Sequence, residues 1–285
     1  MRERWVVISN CQSFGLANSI EAQAKTIECT ACDVHEFRRA IAENPEHFRA
    51  YDFALILPEA FDGIDRDATG LPPYRLVPAF QFPAYHPDSV YVFADGAFVE
   101  GVIGSYQSMI ALAAYKEGLA AEQAATFFDA RIYQAAGYFS QYDPYRTWLV
   151  EHFAAHDIDI APIFLRRTRG AALMHTVNHP AIAVLFDLAR AILVQMERPI
   201  FADVTPPSDN LAGISWPIYP EVGERLGLPG NYLFKPAYRH KPLDLIGFLG
   251  RSLEHFAPWH RSQLSVIPNL VQPLRRIRRH MRDGL

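Results

Sequence analysis

Two short runs, WVVI at residues 5–8 and FALIL at residues 53–57, are apolar at every position, and they constrain the fold more than any other feature of the chain. A strand with one wet face alternates apolar and polar side chains, whereas a strand apolar throughout must be covered on both faces, as in a parallel sheet between layers of helix. The segments between the two runs fit that arrangement. After residues 5–8 come Ser9, Asn10, Cys11, Gln12 and Ser13, then Leu16, Ile20 and Ala24 at helical spacing. Residues 26–32 read as a second strand, and residues 34–42 as a second helix with Phe37 and Ile41 turned inward. This alternation predicts an α/β fold: a short parallel Rossmann-like sheet at the N-terminus, packed with a mostly helical C-terminal part. Right-handed crossovers place the turn after each strand on one sheet edge, where ligands of such folds bind. Cys11 falls on that edge.

Residues 61–87 are rich in Pro and Gly and show no helical period, which predicts a long surface excursion ending in an extended segment. Residues 105–128 read as two helices joined at Gly118, and residues 133–155 as further helix interrupted at Pro144. Residues 158–165 read as another strand. Residues 180–196 form an amphipathic helix, with Pro180 suited to its first position. From Pro199 the chain is irregular and proline-rich, then helical over residues 243–256 and again from Leu270. The expected organisation is an α/β domain over residues 1–100 and a mostly helical domain over residues 101–285, closely packed.

The 285 residues are 50% hydrophobic, enough for a core that needs no disulfide staples. A net charge of −4 lacks the basic excess required against a phosphate backbone, so nucleic acid is not an expected partner. Three cysteines make no disulfide framework, and the opening MRERWVVISN carries no apolar signal segment. The expectation is a reducing, cytoplasmic compartment. No apolar run approaches the ~20 residues of a spanning helix, since even residues 181–196 are broken by Asp187 and Arg190.

Several groups of residues can carry chemistry. Cys11 sits between strand and helix, near free backbone N–H groups and the positive end of the helix dipole, both of which favour thiolate. The same N–H groups can hold an oxyanion or a phosphate, with Asn10, Gln12 and Ser13 adding side-chain donors; a buried small cysteine at a close helix-sheet contact is the plainer alternative. In the sequence Tyr85-His86-Pro87-Asp88, the proline extends His86 and Asp88 is placed to fix the imidazole tautomer, the base and orienter that a thiol needs; a turn with a solvated Asp is equally compatible. Asn178 and His179 precede the helix of residues 180–196, where they can cap it or meet an anion. Arg166, Arg167 and Arg169 suggest a phosphate-bearing ligand or a solvated edge. Cys29 and Cys32 lie within a predicted strand, lack a second cysteine pair, and are read as structural. The final helix sets Leu274, Ile277 and Met281 against Arg275, Arg276, Arg278, Arg279 and Arg282, a pattern able to lie on anionic lipid or to dock a partner. Dinucleotide, P-loop and nucleophile-elbow motifs are absent.

Taken in order, SNCQS after the first strand, PAYHPD near residue 86, SYQSMIALAAYKEGL, and HTVNHPAIAVL followed by WPIYPEVGERLGL resemble the WcbI-like family of capsular polysaccharide biosynthesis proteins over nearly the whole chain. The family opening is usually Gly-Asn-Cys-Gln; here Ser9 replaces the glycine, while Asn10, Cys11 and Gln12 match. A histidine is expected in many relatives where Gln107 stands. The resemblance implies a protein that binds coenzyme A or acetyl-coenzyme A and acetylates a capsule sugar. In that reading Cys11 is a nucleophile or the thioester-facing residue, His86 the general base and Asp88 its orienter. Asn10, Gln12, Ser13, Asn178 and His179 hold the donor, with Arg166, Arg167 and Arg169 assigned to its phosphates from charge alone; no metal takes part, and the partners are an acyl donor and a sugar acceptor. The basic C-terminal helix allows peripheral contact with a membrane or assembly partner. A thioesterase-type hydrolase and a non-catalytic coenzyme A-binding assembly protein are the alternatives.

Overall fold

The computed structural model describes residues 2–168 and 171–284. The chain runs β1 (Glu3–Ser9), α1 (Ser13–Gln23), β2 (Ile27–Asp33), α2 (Val34–Glu43), β3 (Phe53–Ile56) and β4 (Tyr74–Leu76). Short strands follow, β5 (Ser89–Tyr91), β6 (Phe93–Ala94), β7 (Ala97–Phe98) and β8 (Tyr106–Ser108), then the helices α3 (Met109–Glu117), α4 (Ala121–Ala125), α5 (Ala130–Ala136), α6 (Tyr142–Ala154) and α7 (Ala161–Arg167). The remainder comprises β9 (Met174–Thr176), β10 (His179–Pro180), α8 (Ile182–Gln195), α9 (Pro220–Leu226), α10 (Leu245–Phe256), β11 (Leu264–Ser265) and α11 (Val271–Asp283). The α/β class read from the apolar strands is the class observed.

Two compact units form, interleaved along the chain: residues 1–81, 146–174 and 178–212 make the first, and residues 82–145, 175–177 and 213–285 the second. The sequence reading set its two parts consecutively about residue 100, whereas these units alternate along the chain. The third strand and the excursion after it do not complete the first unit's cover, because the helix that lies on α1 is α8, far downstream.

In the first unit the sheet order is β2-β1-β3-β4, with all neighbours parallel. Ile8 stands opposite Cys32 on one side and Ile56 on the other. Alternate residues of β1 serve opposite faces. Val6 and Ile8 join Phe37 and Ile41 of α2 in one buried cluster with Phe48, Ile56 and Phe61. Val7 and Leu55 instead meet Leu16 and Leu188, from α1 and α8, around a void of only about 10 Å³. Strand β4 was not anticipated in the Pro/Gly-rich excursion; three residues long, it finishes the sheet edge beside β3. Residues 158–165 are also corrected: the strand expected there is the start of α7, where Pro162 fits a first helical turn that needs no N–H from it.

The second unit is built from α3, α10 and α11 with antiparallel pairs, β5 with β8 and β6 between β11 and β7. Gly118 ends α3 at φ +79°, a left-handed conformation that favours glycine. In α11 the apolar stripe is spent inside this unit: Leu274, Ile277 and Met281 are buried, the last two fully. Arg278 and Arg282 turn to Glu117 of α3. Insertion of that apolar face into lipid, expected from its pattern, is not open to the folded chain; only the arginine face points outward. Among the described residues no helix is long and apolar enough to cross a membrane.

Candidate functional site

The first strand ends at Ser9 and the helix begins at Ser13, so the turn between them carries Asn10, Cys11 and Gln12 at the sheet edge. Asn10 organises it. Its Oδ1 accepts from Gln12 N–H at 3.1 Å and its carbonyl accepts from Ser13 N–H at 3.0 Å. The N–H groups of Phe14 and Gly15 have no acceptor among the described residues, which leaves two donors at the helix mouth. Cys11 is exposed, with Sγ 3.9 Å from Asn10 Oδ1, and Phe14 beside it is 58% exposed.

The thiol is not the thiolate that a helix start suggested. Removal of water by the surrounding chain pushes the Cys11 pKa up to about 11, and the opposing pull of its own backbone N–H is smaller. In the free protein at neutral pH, Cys11 is protonated.

Gln12 is corrected in role. Its Nε2 donates to the carbonyls of Phe80 at 3.0 Å and Asn178 at 2.9 Å, and its Oε1 accepts from Phe80 N–H at 3.0 Å. An amide nitrogen has two protons, and both are used, so this buried side chain is a clamp and not an oxyanion donor. Ser13 is fully buried, and its Oγ has no hydrogen-bond partner among the described residues. Asn178 contributes its carbonyl to the clamp, and neither it nor His179 caps α8: the first helical N–H, of Ile182, goes to Asp209 Oδ2 at 2.9 Å. Asp209 carried no sequence signal, because it reaches back from well beyond the helix.

The arginines are mostly committed elsewhere. Arg167 makes a two-pronged bond to Asp187, at 2.8 and 2.9 Å, with Arg166 at 3.5 Å from the same carboxylate. Asp187 is nearly buried within α8, so Arg167 neutralises a charge of its own chain and is corrected as a phosphate ligand. Arg169 lies outside the described residues. Cys29 and Cys32 stand within β2, Cys32 in the core cluster, and no group of residues suited to a metal occurs among the described residues.

His86 and Asp88 belong to the second unit, just before β5. Pairing of β5 with β8 sets Ser89 opposite Ser108 and thereby brings Ser108 to Asp88. The Asp88 carboxylate is fully buried and accepts four bonds. Ser108 Oγ at 2.5 Å and Tyr219 OH at 2.7 Å donate to Oδ2, while Tyr138 OH at 2.7 Å and Ile110 N–H at 3.0 Å donate to Oδ1. Burial pushes the Asp88 pKa up and these four donors pull it down, burial having the larger effect. Both tyrosines are held far above the ordinary phenol range by burial and by Asp88, so they remain donors. Both oxygens being occupied in this way, Asp88 locks β5, α3 and two tyrosines together; the orienting role toward His86 is corrected. The His86 ring is buried, and its Nδ1 faces the Pro217 carbonyl at 3.4 Å.

A parallel four-stranded sheet with an exposed thiol in the turn after its first strand defines an α/β protein with a helix-mouth cysteine site. The chain belongs to the WcbI family, described as polysaccharide biosynthesis enzymes, which matches residues 4–199. A solved structure of WcbI, described as a novel polysaccharide biosynthesis enzyme and as native protein without a disulfide bond between coenzyme A and one of its cysteines, shares the fold: TM-score 0.72 at 16% identity, covering 100% of each chain. Among curated protein sequences there is no match.

Proposed function

We propose that this chain moves an acetyl group from acetyl-coenzyme A to a sugar hydroxyl during the synthesis of a capsular or extracellular polysaccharide. The observation that carries the reading is the exposed Cys11 thiol beside the two unclaimed N–H groups of Phe14 and Gly15. A pantetheine arm ending there would set its thioester against the sulfur, with backbone donors at hand for the carbonyl oxygen as it gains charge. Membership in a polysaccharide biosynthesis family supports the acceptor class. The mention of coenzyme A in the description of the related solved protein, there as native protein without a disulfide to one of its cysteines, supports the donor.

Because Cys11 is a thiol at neutral pH, direct transfer fits better than an acyl-cysteine intermediate. The sugar O–H gives its proton to a general base, its oxygen bonds to the thioester carbonyl carbon, and the carbon–sulfur bond breaks. Coenzyme A leaves as thiolate and takes the proton back. Cys11 then acts as the thioester-facing contact, with Asn10 holding the turn that presents it. The test is acetyl-coenzyme A consumption by the whole chain in the presence of a panel of sugar acceptors. His86→Ala is expected to lower turnover by about a hundredfold or more, as loss of a general base does, and Cys11→Ser to weaken donor use. Full activity in both variants would end the assignment, and equally fast thiol release without any sugar would make the protein a hydrolase.

A further inference from the structure

The second unit carries a basic concavity unrelated to the cysteine turn. Its base is rigid: Phe234 and Leu243 exchange two backbone hydrogen bonds of 2.8 Å, and the Phe234 ring stacks on Phe248 of α10 with centroids 3.7 Å apart. The loop that this pair closes opens onto a hollow of about 360 Å³ lined by Arg239, Lys241, Asp244 and, from α10, Arg251. Asp244 is engaged as the cap of α10, its Oδ1 accepting from Gly247 N–H at 2.8 Å, and it makes no ion pair with the three cations. Arg239, Lys241 and Arg251 are all exposed. Some arginines elsewhere do find a carboxylate, Arg167 with Asp187, Arg278 with Glu117 and Arg198 with Glu3. Three cations against one carboxylate leave the hollow with an excess of positive charge, which an anion of two or more charges offsets. All of these residues lie outside the span 4–199 that matches the family.

We infer that this hollow binds the diphosphate group of a phosphorylated ligand. The shared chemistry is a diphosphate ester, and it has two sources: the nucleotide end of the acyl donor, or a nucleoside diphosphate sugar.

The experiment is calorimetric titration of the whole chain with inorganic pyrophosphate at low ionic strength. Wild type is expected to bind, with affinity falling as salt is added. The triple variant Arg239→Gln, Lys241→Gln, Arg251→Gln is expected to weaken binding about tenfold or more, one charge-assisted bond or so of free energy. All three side chains are exposed, and a circular dichroism spectrum like that of wild type verifies the fold. A double variant of α11, Arg275→Gln with Arg279→Gln, removes charge elsewhere and is expected to leave binding unchanged. Displacement of pyrophosphate by coenzyme A, or by uridine diphosphate glucose, assigns the source. No binding by wild type, equal binding by the triple variant, equal weakening by the α11 variant, or displacement by neither ester would each overturn the inference. Loss of acetyl transfer in His86→Ala bears on the proposed function and leaves this titration unaffected.

Discussion

Gln12 and Phe80 exchange two hydrogen bonds, side-chain amide to backbone, each 3.0 Å long, in a buried position 68 residues apart in sequence. The same amide holds Asn178, so one side chain fixes the start of α1 to two distant loops. Removing it strands a buried N–H and carbonyl of Phe80, each costing about 1–3 kcal/mol when left unmet. Gln12→Ala is expected to lower stability by roughly 3 kcal/mol in urea unfolding, and Gln12→Glu by at least as much, since a carboxylate supplies no donor for the two carbonyls. A loss below roughly 0.5 kcal/mol in both variants would contradict the clamp.

The raised pKa of Cys11 sets a pH dependence. With a value of about 11, only about one molecule in ten thousand carries the thiolate at pH 7. Alkylation of Cys11 by iodoacetamide, followed by mass spectrometry, is therefore expected to rise roughly tenfold per pH unit up to pH ~10. The urea-unfolded chain, whose thiol titrates near ~8.5, levels off about two units earlier. A plateau between pH 7 and 8 in the folded protein would show that the turn lowers the pKa after all.

Arg167 neutralises Asp187, which is nearly buried, and Arg166 at 3.5 Å compensates in part. Arg167→Gln is expected to cost roughly 1–2 kcal/mol of stability, less than a fully buried pair because the arginine is partly exposed. The apparent KM for the acyl donor should stay within a factor of ~2 of wild type, a change worth well under 1 kcal/mol. A large rise in KM at unchanged stability would return Arg167 to the ligand.

The sheet was legible because its message is local. Apolar positions in β1 and β3 are contiguous, and Phe37 and Ile41 repeat at helical spacing, so strand and helix are written within a few residues. Strand β4 was not legible, since three residues at a sheet edge owe their conformation to the backbone of β3 beside them. The Cys11 turn could be placed, but the protonation of its sulfur depends on chain packed around it. Asp88 illustrates the same limit. Its hydroxyl donors Ser108, Tyr138 and Tyr219 stand 20, 50 and 131 residues away, so the neighbouring His86 in HPD suggested a pairing that the fold does not make.

The interleaving of the two units reaches into the way the chain is made. On the ribosome, α1 emerges early, yet the helix that covers it, α8, follows only after all of the second unit's first segment has been translated. Until then Leu16 and Ile20 have no permanent neighbour on that side, and the nascent chain carries a greasy helix in need of shelter. A chaperone that recognises such a surface would find its best window between those two moments.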